Sequence, residues 1–151
     1  MDKKVAIYPG SFDPFHRGHK YIVDTALSIF DEVVICVAVN PDKNGYFEPR
    51  ARINIIEAIF KTNDRVKVVQ TTGLVADMAR EVGACAIIKG ARNGSDFESE
   101  VAQADINKEL GGIPTFVIPT HHSVSFISST LVRTLIKAKK GSEKYVRNLM
   151  C

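Results

Sequence analysis

The sequence predicts an α/β fold: a single domain over residues 1–151, built on a five-stranded parallel sheet with helices on both faces. Short apolar runs alternate with helical patterns along the chain, and the connections have the length of right-handed crossovers. Residues 32–39, EVVICVAV, are almost continuously apolar, which is typical of a parallel strand covered on both faces. At 151 residues, one domain buries roughly 70% of its unfolded surface, enough for a sizeable core.

The chain opens with a strand, a turn and the start of a helix. Residues 5–8 form an apolar run short enough for a buried strand, and Gly10 and Gly18 lie in the punctuated stretch that follows. Apolar residues then recur at helical spacing over about 19–30. Because a helix N-terminus exposes unpaired N–H groups and partial positive charge, this turn suits a phosphate.

The middle of the chain repeats this pattern. Pro49 is a favourable first helical residue, and Gly83 is a typical residue just beyond a helix C-terminus. The predicted elements are a strand at 32–39, a helix at 49–60, a strand at 66–70, a helix at 74–82 and a strand at 84–89.

The last third begins with a long helix to Leu110, for which Ser95 and Glu98 predict a capping box. Ser128 or Ser129 is expected to cap a later helix. The remaining predicted elements are a strand at 114–118, a helix through 131–136 and a short helix at 143–149.

Polar and glycine-rich residues follow the predicted strands. Since ligands bind parallel sheets at the carboxyl ends of the strands, these residues are expected to line one site. The segments concerned are 10–11, 40–43, 71–74, 89–92 and 120–125.

Composition narrows the class of protein. The net charge of +3 is too small and dispersed to indicate a nucleic-acid partner. No apolar stretch approaches the roughly 20 residues that span a membrane, and no signal peptide is evident, so a cytoplasmic location is expected. Cys36, Cys85 and Cys151 have no metal-binding spacing, and Cys36 and Cys85 are expected to be buried thiols in strands.

His16 and His19 lie three residues apart at the predicted helix start. They could ligate a metal, but zinc requires three or four protein ligands and no convincing third is present. Phosphate binding fits the loop-to-helix context better. Asp13 could be a base, yet an anion would repel a phosphate, so it is expected to cap backbone amides and orient the loop.

Three basic residues lie at or just beyond the ends of predicted strands, and one acidic residue lies in the long predicted helix. Lys43, Lys89 and Arg92 could be solvated cations, but their place at the ligand edge of the sheet favours phosphate contacts. Glu100 could bind ribose hydroxyls or merely occupy a helix face. Downstream, SFISST at 125–130 presents hydroxyls and amides at a second helix start, where capping and phosphate contact are compatible.

The segment GSFDPFHRGH at 10–19 matches the HxGH signature of the nucleotidyltransferase superfamily, whose members join a nucleoside triphosphate to a phosphorylated acceptor. By this signature the chain resembles the superfamily, and the resemblance implies a Rossmann-like fold. The segments NPDKNGYF, GLVADMAR, KGARNGSDFESE and SFISSTLVR further resemble one bacterial branch. That branch transfers the adenylyl group of ATP to 4'-phosphopantetheine, giving dephospho-coenzyme A and pyrophosphate.

The resemblance implies a role for each matching residue. His19, Lys43 and Arg92 would be catalytic. The acceptor would be bound by Tyr8, Ser11, Lys43, Leu74, Val75 and Lys89. ATP would be bound by Gly10, Ser11, Phe12, His16, Gly18, His19, Gly90, Arg92, Glu100, Ser125, Phe126, Ile127, Ser128, Ser129 and Thr130.

The resemblance also implies properties beyond single residues. Mg²⁺ would be held by the ATP phosphates rather than by protein side chains, the chain would assemble as a hexamer, and coenzyme A would inhibit it. Lys89 stands where the family usually has arginine, so it keeps the charge but loses the bidentate fork.

Two alternatives share part of this pattern. Adenylyltransferases for nicotinamide mononucleotide and cytidylyltransferases also carry HxGH and a serine-rich second motif, although their usual second signatures, and for the former greater length, argue against them. A non-catalytic nucleotide sensor could retain the fold, but the intact HxGH, Lys43 and Arg92 weigh against it.

Overall fold

A computed structural model describes residues 2–138 and 143–151. The strands are β1 (Val5–Gly10), β2 (Glu32–Ala38), β3 (Val66–Thr71), β4 (Ala86–Ala91) and β5 (Thr115–Pro119). The helices are α1 (Arg17–Leu27), α2 (Pro49–Ile59), α3 (Val75–Glu81), α4 (Gly94–Gly111), α5 (Ser129–Ala138) and α6 (Glu143–Met150).

The five strands form one parallel sheet in the order β3-β2-β1-β4-β5. From β1 the chain moves outward to β3, then crosses back and continues on the other side with β4 and β5. The direction of winding therefore reverses between β1 and β4, where Ala6 pairs with Ala86 and Ile7 with Ile87. In open α/β sheets this switch point leaves a crevice at the carboxyl ends of the strands.

Helices cover both faces of the sheet, as predicted. In β1, Ala6 and Tyr8 belong to the apolar cluster that includes Ile22 of α1 and Ile56 of α2. The alternate residue Ile7 belongs to a second cluster, which includes side chains of α3. Because successive strand residues point to opposite faces, a strand buried on both must be apolar at nearly every position.

Two predictions about local structure are wrong. Helix α4 is capped by Asn93, whose side chain accepts a hydrogen bond from Asp96 N at 2.9 Å, rather than by Ser95. The cap lies two residues before the predicted one because Gly94 and Ser95 already have helical geometry. Cys85 is exposed, since β4 begins one residue after it, whereas Cys36 is buried in β2.

Helices α5 and α6 lie beside α1. Ile127, Val132 and Leu149 form a third apolar cluster, against which Tyr21 of α1 packs. This packing brings the start of α5 next to the start of α1. Among the described residues, no helix has the length and apolar character needed to cross a membrane.

We expect Ile35→Ala to lower the free energy of unfolding by about 3 kcal/mol, because a fully buried residue of the central sheet would leave a cavity. Chemical denaturation would measure the loss. Ile29→Ala makes the same chemical change at a side chain that is 67% exposed, and it should cost under about 0.5 kcal/mol. Equal losses in the two variants would contradict this description of the core.

Candidate active site

A cavity of about 420 Å³ lies at the switch point between β1 and β4. Its walls come from three places: the turn after β1 with the start of α1, the end of β4 with α4, and the start of α5. The structure brings together in this lining fifteen of the predicted site residues: Tyr8, Gly10, Ser11, Phe12, His16, Gly18, His19, Lys89, Gly90, Arg92, Glu100, Ile127, Ser128, Ser129 and Thr130.

The two histidines of the HxGH segment cap α1 reciprocally. His16 is the N-cap, and its Nδ1 accepts a hydrogen bond from Gly18 N at 3.1 Å. His19 lies three residues further on, and its Nδ1 accepts from His16 N at 3.1 Å. The two rings stack with centroids 3.7 Å apart. The spacing of three therefore has a geometric reason: it joins the cap residue to the third residue of the helix.

These hydrogen bonds fix which ring nitrogen carries the proton. A ring nitrogen that accepts an N–H cannot itself be protonated, so the neutral rings of His16 and His19 carry their hydrogen on Nε2. Each histidine thus keeps one donor for a ligand, and its other nitrogen holds the helix start.

Burial keeps the His19 ring neutral. Burial is the main cause of a pKa well below the ordinary value, and His16, Lys89 and Arg92 lower the pKa further. For His16, burial followed by Arg92 lowers the pKa to about 4. At neutral pH both rings are therefore hydrogen-bond donors without charge, and the positive charge of the cavity comes from lysine and arginine.

Aromatic side chains hold the His19 ring in place. The ring of Phe12 meets it edge-on with centroids 4.9 Å apart, and Phe15 lies at 5.2 Å. Phe12 has a φ of 48°, a left-handed conformation that costs a non-glycine residue about 1–2 kcal/mol. Burial of its ring, which is 2% exposed, offsets that cost.

Glycine is required where backbone passes close to these rings. A Cβ on Gly18 would lie 2.9 Å from Cε1 of His16, and one on Gly10 would lie 2.9 Å from Cζ of Phe12. Larger residues at either position would push an aromatic ring out of the turn. The two glycines therefore allow the backbone to reach the cavity wall.

On the β4 side, two cations face two carboxylates. Lys89 Nζ lies 3.4 Å from Glu100 Oε2 and 3.5 Å from the carbonyl oxygen of Pro9. Glu100 Oε2 is buried and accepts no hydrogen bond, so it keeps an acceptor for a ligand hydroxyl. Arg92 Nε donates to Asp96 Oδ2 at 3.0 Å. Asp96 thus orients the arginine, a role that the sequence did not indicate.

The start of α5 forms the opposite wall. Ser128 Oγ accepts from Leu131 N at 3.0 Å, which confirms Ser128 as a cap, and Ser129 Oγ donates to the carbonyl oxygen of Pro14 at 2.9 Å. Arg133 lines the cavity and donates from NH1 to the carbonyl oxygen of Asp13 at 2.7 Å. Sequence reasoning missed Arg133; the signal was a basic residue one helical turn after the SFISST segment.

Two neighbouring cavities meet the first at Ser11, which lines all three. One, of about 680 Å³, is lined by Lys43 and also by Arg133. The other, of about 390 Å³, is lined by Leu74 and Val75 at the start of α3, together with Lys89 and Glu100. All the residues predicted to bind the acceptor therefore lie around the turn after β1.

Two predicted residues lie outside the lining of these three cavities. Ser125 Oγ donates to the carbonyl oxygen of His122 at 3.2 Å, and the Phe126 side chain is 57% exposed. Their assignment to ATP stays a prediction. Within residues 2–138 and 143–151, no three His, Cys, Asp or Glu side chains are grouped so as to hold a metal ion.

A switch-point cavity with neutral imidazole donors, flanking cations and two helix starts is the arrangement of a nucleotidyltransferase. Residues 7–135 match the family model described as cytidylyltransferase-like. Phosphopantetheine adenylyltransferase of Porphyromonas gingivalis is 43% identical over 136 residues, 90% of this chain and 89% of that protein. Its namesake in Francisella tularensis subsp. mediasiatica is 45% identical over 87% of this chain and 82% of that protein. The chain belongs to the phosphopantetheine adenylyltransferase family.

A solved structure supports the fold. Plasmodium falciparum nicotinic acid mononucleotide adenylyltransferase complexed with NaAD superposes with a TM-score of 0.66, covering 97% of this chain and 89% of that one. The sequences are 17% identical, so the likeness concerns the fold alone.

The histidine cap predicts how stability depends on pH. The folded state holds His16 neutral with a pKa of about 4, whereas the unfolded chain titrates near 6.5. As pH falls from 6.5 towards 4, the unfolded state gains a proton that the folded state does not take up. We expect this residue alone to cost about 3 kcal/mol of stability between pH 7 and pH 4.

Denaturation curves of the wild type and His16→Asn across this range would isolate the effect. Asparagine can also cap the helix but does not titrate, so its profile should be flatter. Parallel profiles for the two proteins would show that His16 does not resist protonation.

Proposed function

We propose that this chain transfers the adenylyl group of ATP to 4'-phosphopantetheine, giving dephospho-coenzyme A and pyrophosphate. The observation that carries the proposal is the junction at Ser11, where a cavity with phosphate donors meets a cavity lined by Leu74 and Val75. ATP fits the first, and the partly apolar second suits the pantetheine arm. The family relatives named for this reaction support the same assignment.

The chemistry requires no base. The phosphate of the acceptor is already an anion at neutral pH, so one of its oxygens can attack the α-phosphorus of ATP in line. A new P–O bond forms there as the bond to the bridging oxygen breaks, and pyrophosphate leaves with the electron pair. Catalysis then consists of positioning and of stabilising negative charge.

Each residue has a role that follows from its geometry. The Nε2–H of His19 would donate to the α-phosphate as its charge grows, because Nδ1 is occupied by the helix cap. Lys43 and Lys89 would hold the entering phosphate from two sides. Arg92 would stabilise the reacting phosphates, and Arg133, between two cavities, would hold the departing pyrophosphate.

We propose that Mg²⁺ enters with ATP and is held by phosphate oxygens. The two carboxylates of the cavity, Asp96 and Glu100, are paired with Arg92 and Lys89, so they do not form a ready site for the ion. No residue of this chain is therefore assigned to the metal.

We also propose a cytoplasmic location and inhibition by coenzyme A. Free cysteines, one of them the exposed Cys85, suit a reducing compartment. Coenzyme A carries both an adenylate and a pantetheine arm, so it could occupy the two joined cavities at once and compete with both substrates.

A homo-oligomer, of six chains by family resemblance, is the assembly that we propose. Several large apolar side chains of α4 and β5 are about half exposed in the single chain, which is more than isolated surface residues require. They are Phe97, Val101, Ile106, Leu110 and Phe116.

His19→Ala is expected to lower turnover by about 100- to 1000-fold, because a donor aimed at developing negative charge would be lost. ATP binding should stay measurable, since Lys89, Arg92 and Arg133 remain. Pyrophosphate release from ATP and 4'-phosphopantetheine measures turnover, and calorimetry measures binding. His122→Ala removes an exposed histidine outside the three cavities and is the matched control. Near-normal turnover in His19→Ala would contradict the role of His19 as a donor to the α-phosphate.

The same assay with CTP in place of ATP, or nicotinamide mononucleotide as acceptor, tests the alternatives. We expect neither to match the rate with ATP and 4'-phosphopantetheine. If no pair of substrates released pyrophosphate, a non-catalytic nucleotide sensor would be the better description.

Light scattering is expected to give a mass several times the 16.6 kDa of one chain. Phe97→Glu should shift the protein towards smaller species, because a buried contact would acquire an unpaired charge. Ile29→Glu places the same charge on a side chain that is 67% exposed and lies outside α4 and β5, and it should change nothing. A monomeric wild type would refute the proposed assembly.

A further inference from the structure

The Asp13 side chain lies outside the lining of the cavity of about 420 Å³ that we assign to ATP, here called the nucleotide cavity. Asp13 is 7% exposed, and its carboxylate accepts two main-chain hydrogen bonds: from Tyr46 N at 2.7 Å and from Phe47 N at 2.8 Å. Both donors belong to the loop between β2 and α2, more than thirty positions along the chain. The turn after β1 and this loop are therefore joined directly.

Arg52 completes the connection from the first turn of α2. It is 5% exposed, and its Nε lies 3.6 Å from Asp13 Oδ1. The same Nε donates to the carbonyl oxygen of Phe47 at 2.9 Å, and NH1 donates to the carbonyl oxygen of Ser11 at 3.3 Å. One guanidinium thus binds the loop, the turn and the carboxylate between them.

The loop passes over this pair so closely that only glycine fits. A Cβ on Gly45 would lie 1.9 Å from NH2 of Arg52 and 2.9 Å from Oδ2 of Asp13. Lys43, two residues earlier, lines the cavity that meets the nucleotide cavity at Ser11. The position of Lys43 relative to Ser11 is therefore set through Gly45 and the Asp13–Arg52 pair.

The turn itself has separate anchors. Arg133 NH1 donates to the carbonyl oxygen of Asp13, and Ser129 Oγ donates to the carbonyl oxygen of Pro14. The loop also contacts α5, because Lys137 Nζ lies 5.3 Å from the centroid of the Tyr46 ring. Loss of the Asp13 carboxylate should therefore release the loop while the turn stays in place.

We propose that Asp13 and Arg52 are positioning residues that hold Lys43 against the reacting phosphates. This inference rests on the proposed function, because it gives Lys43 its role in the transfer. Neither residue lines the nucleotide cavity, whereas both line the cavity of about 680 Å³ together with Lys43. The contribution of the pair to the rate acts through Lys43, so it should disappear when Lys43 is absent.

A double-mutant cycle between Asp13→Asn and Lys43→Ala tests this dependence. Asparagine has nearly the shape of aspartate but offers one acceptor oxygen instead of two and leaves Arg52 without its counter-charge. In the wild-type background we expect kcat to fall by about 100-fold, the size of effect that a misplacement of about 1 Å produces. KM for ATP should change far less than kcat.

In the Lys43→Ala background, Asp13→Asn should lower kcat by less than about 3-fold, because the two residues act as one unit. If the fold-losses in kcat of the two single variants multiplied in the double variant, the proposal would be overturned, since a merely structural defect would act whether or not the lysine is present. Gly45→Ala provides a second route if Asp13→Asn folds poorly: it removes no side chain, and it should give the same pattern.

Arg65→Lys is the matched control. Arg65 also bridges main-chain carbonyl groups, those of Leu27, Phe30 and Asp31, but at the amino end of β2. Like Arg52→Lys, it replaces a planar fork with a single ammonium. We expect Arg52→Lys to lower kcat and Arg65→Lys to leave it unchanged. Equal effects in the two variants would overturn the proposal.

Amide hydrogen exchange gives a readout that does not depend on activity. Asp13→Asn should accelerate exchange at Tyr46 and Phe47, whereas the amide of Ile35 in β2 should stay protected. Unchanged exchange at the two loop amides would refute the clamp even in an active enzyme. Conversely, a wild type that released no pyrophosphate would refute the proposed function, and the exchange data would still decide whether the pair holds the loop.

Discussion

The site depends on the reciprocal cap that His16 and His19 form at the start of α1. A helix start buried in the protein must satisfy its free N–H groups, and here imidazole nitrogens do so. The same two bonds fix the tautomer of each ring, so that Nε2 carries the proton. One arrangement therefore ends the strand-to-helix turn and leaves each ring, which burial keeps neutral, with a single hydrogen-bond donor.

Around this cap, each of two cations is paired with a carboxylate. Lys89 faces Glu100 and Arg92 faces Asp96, so both cations of the cavity are held in place by a neighbouring side chain. Preorganised donors of this kind lower the cost of reorganisation when charge develops in a transition state. The aromatic packing of Phe12 and Phe15 serves the same purpose for His19, because both rings pack against the imidazole.

The sequence allowed much of this to be predicted. The alternation of apolar runs and helical patterns predicted the order of the eleven elements that the described residues form. The residues at the ends of the predicted strands predicted the edge of the sheet at which the cavities lie. Errors arose where neighbouring residues competed for one local role, as Asn93 did with Ser95 for the cap of α4. Arg133 was missed because its partner, the carbonyl group of Asp13, is distant in the chain. Asp96 was missed although it lies four residues after Arg92, a spacing that is typical of a local ion pair.

By itself, the sequence determined the fold class and the family, because periodicity, punctuation and the HxGH segment are local properties of the chain. The sequence also predicted that Asp13 caps backbone amides, but only the tertiary structure decided that these are the amides of Tyr46 and Phe47 and that Arg52 faces the same carboxylate, since those partners come from a distant segment. The tertiary structure also decided that the second nitrogen of His19 holds the helix. Long-range pairings of buried polar groups depend on how the helices and strands pack, and this packing cannot be predicted from any single segment of the sequence.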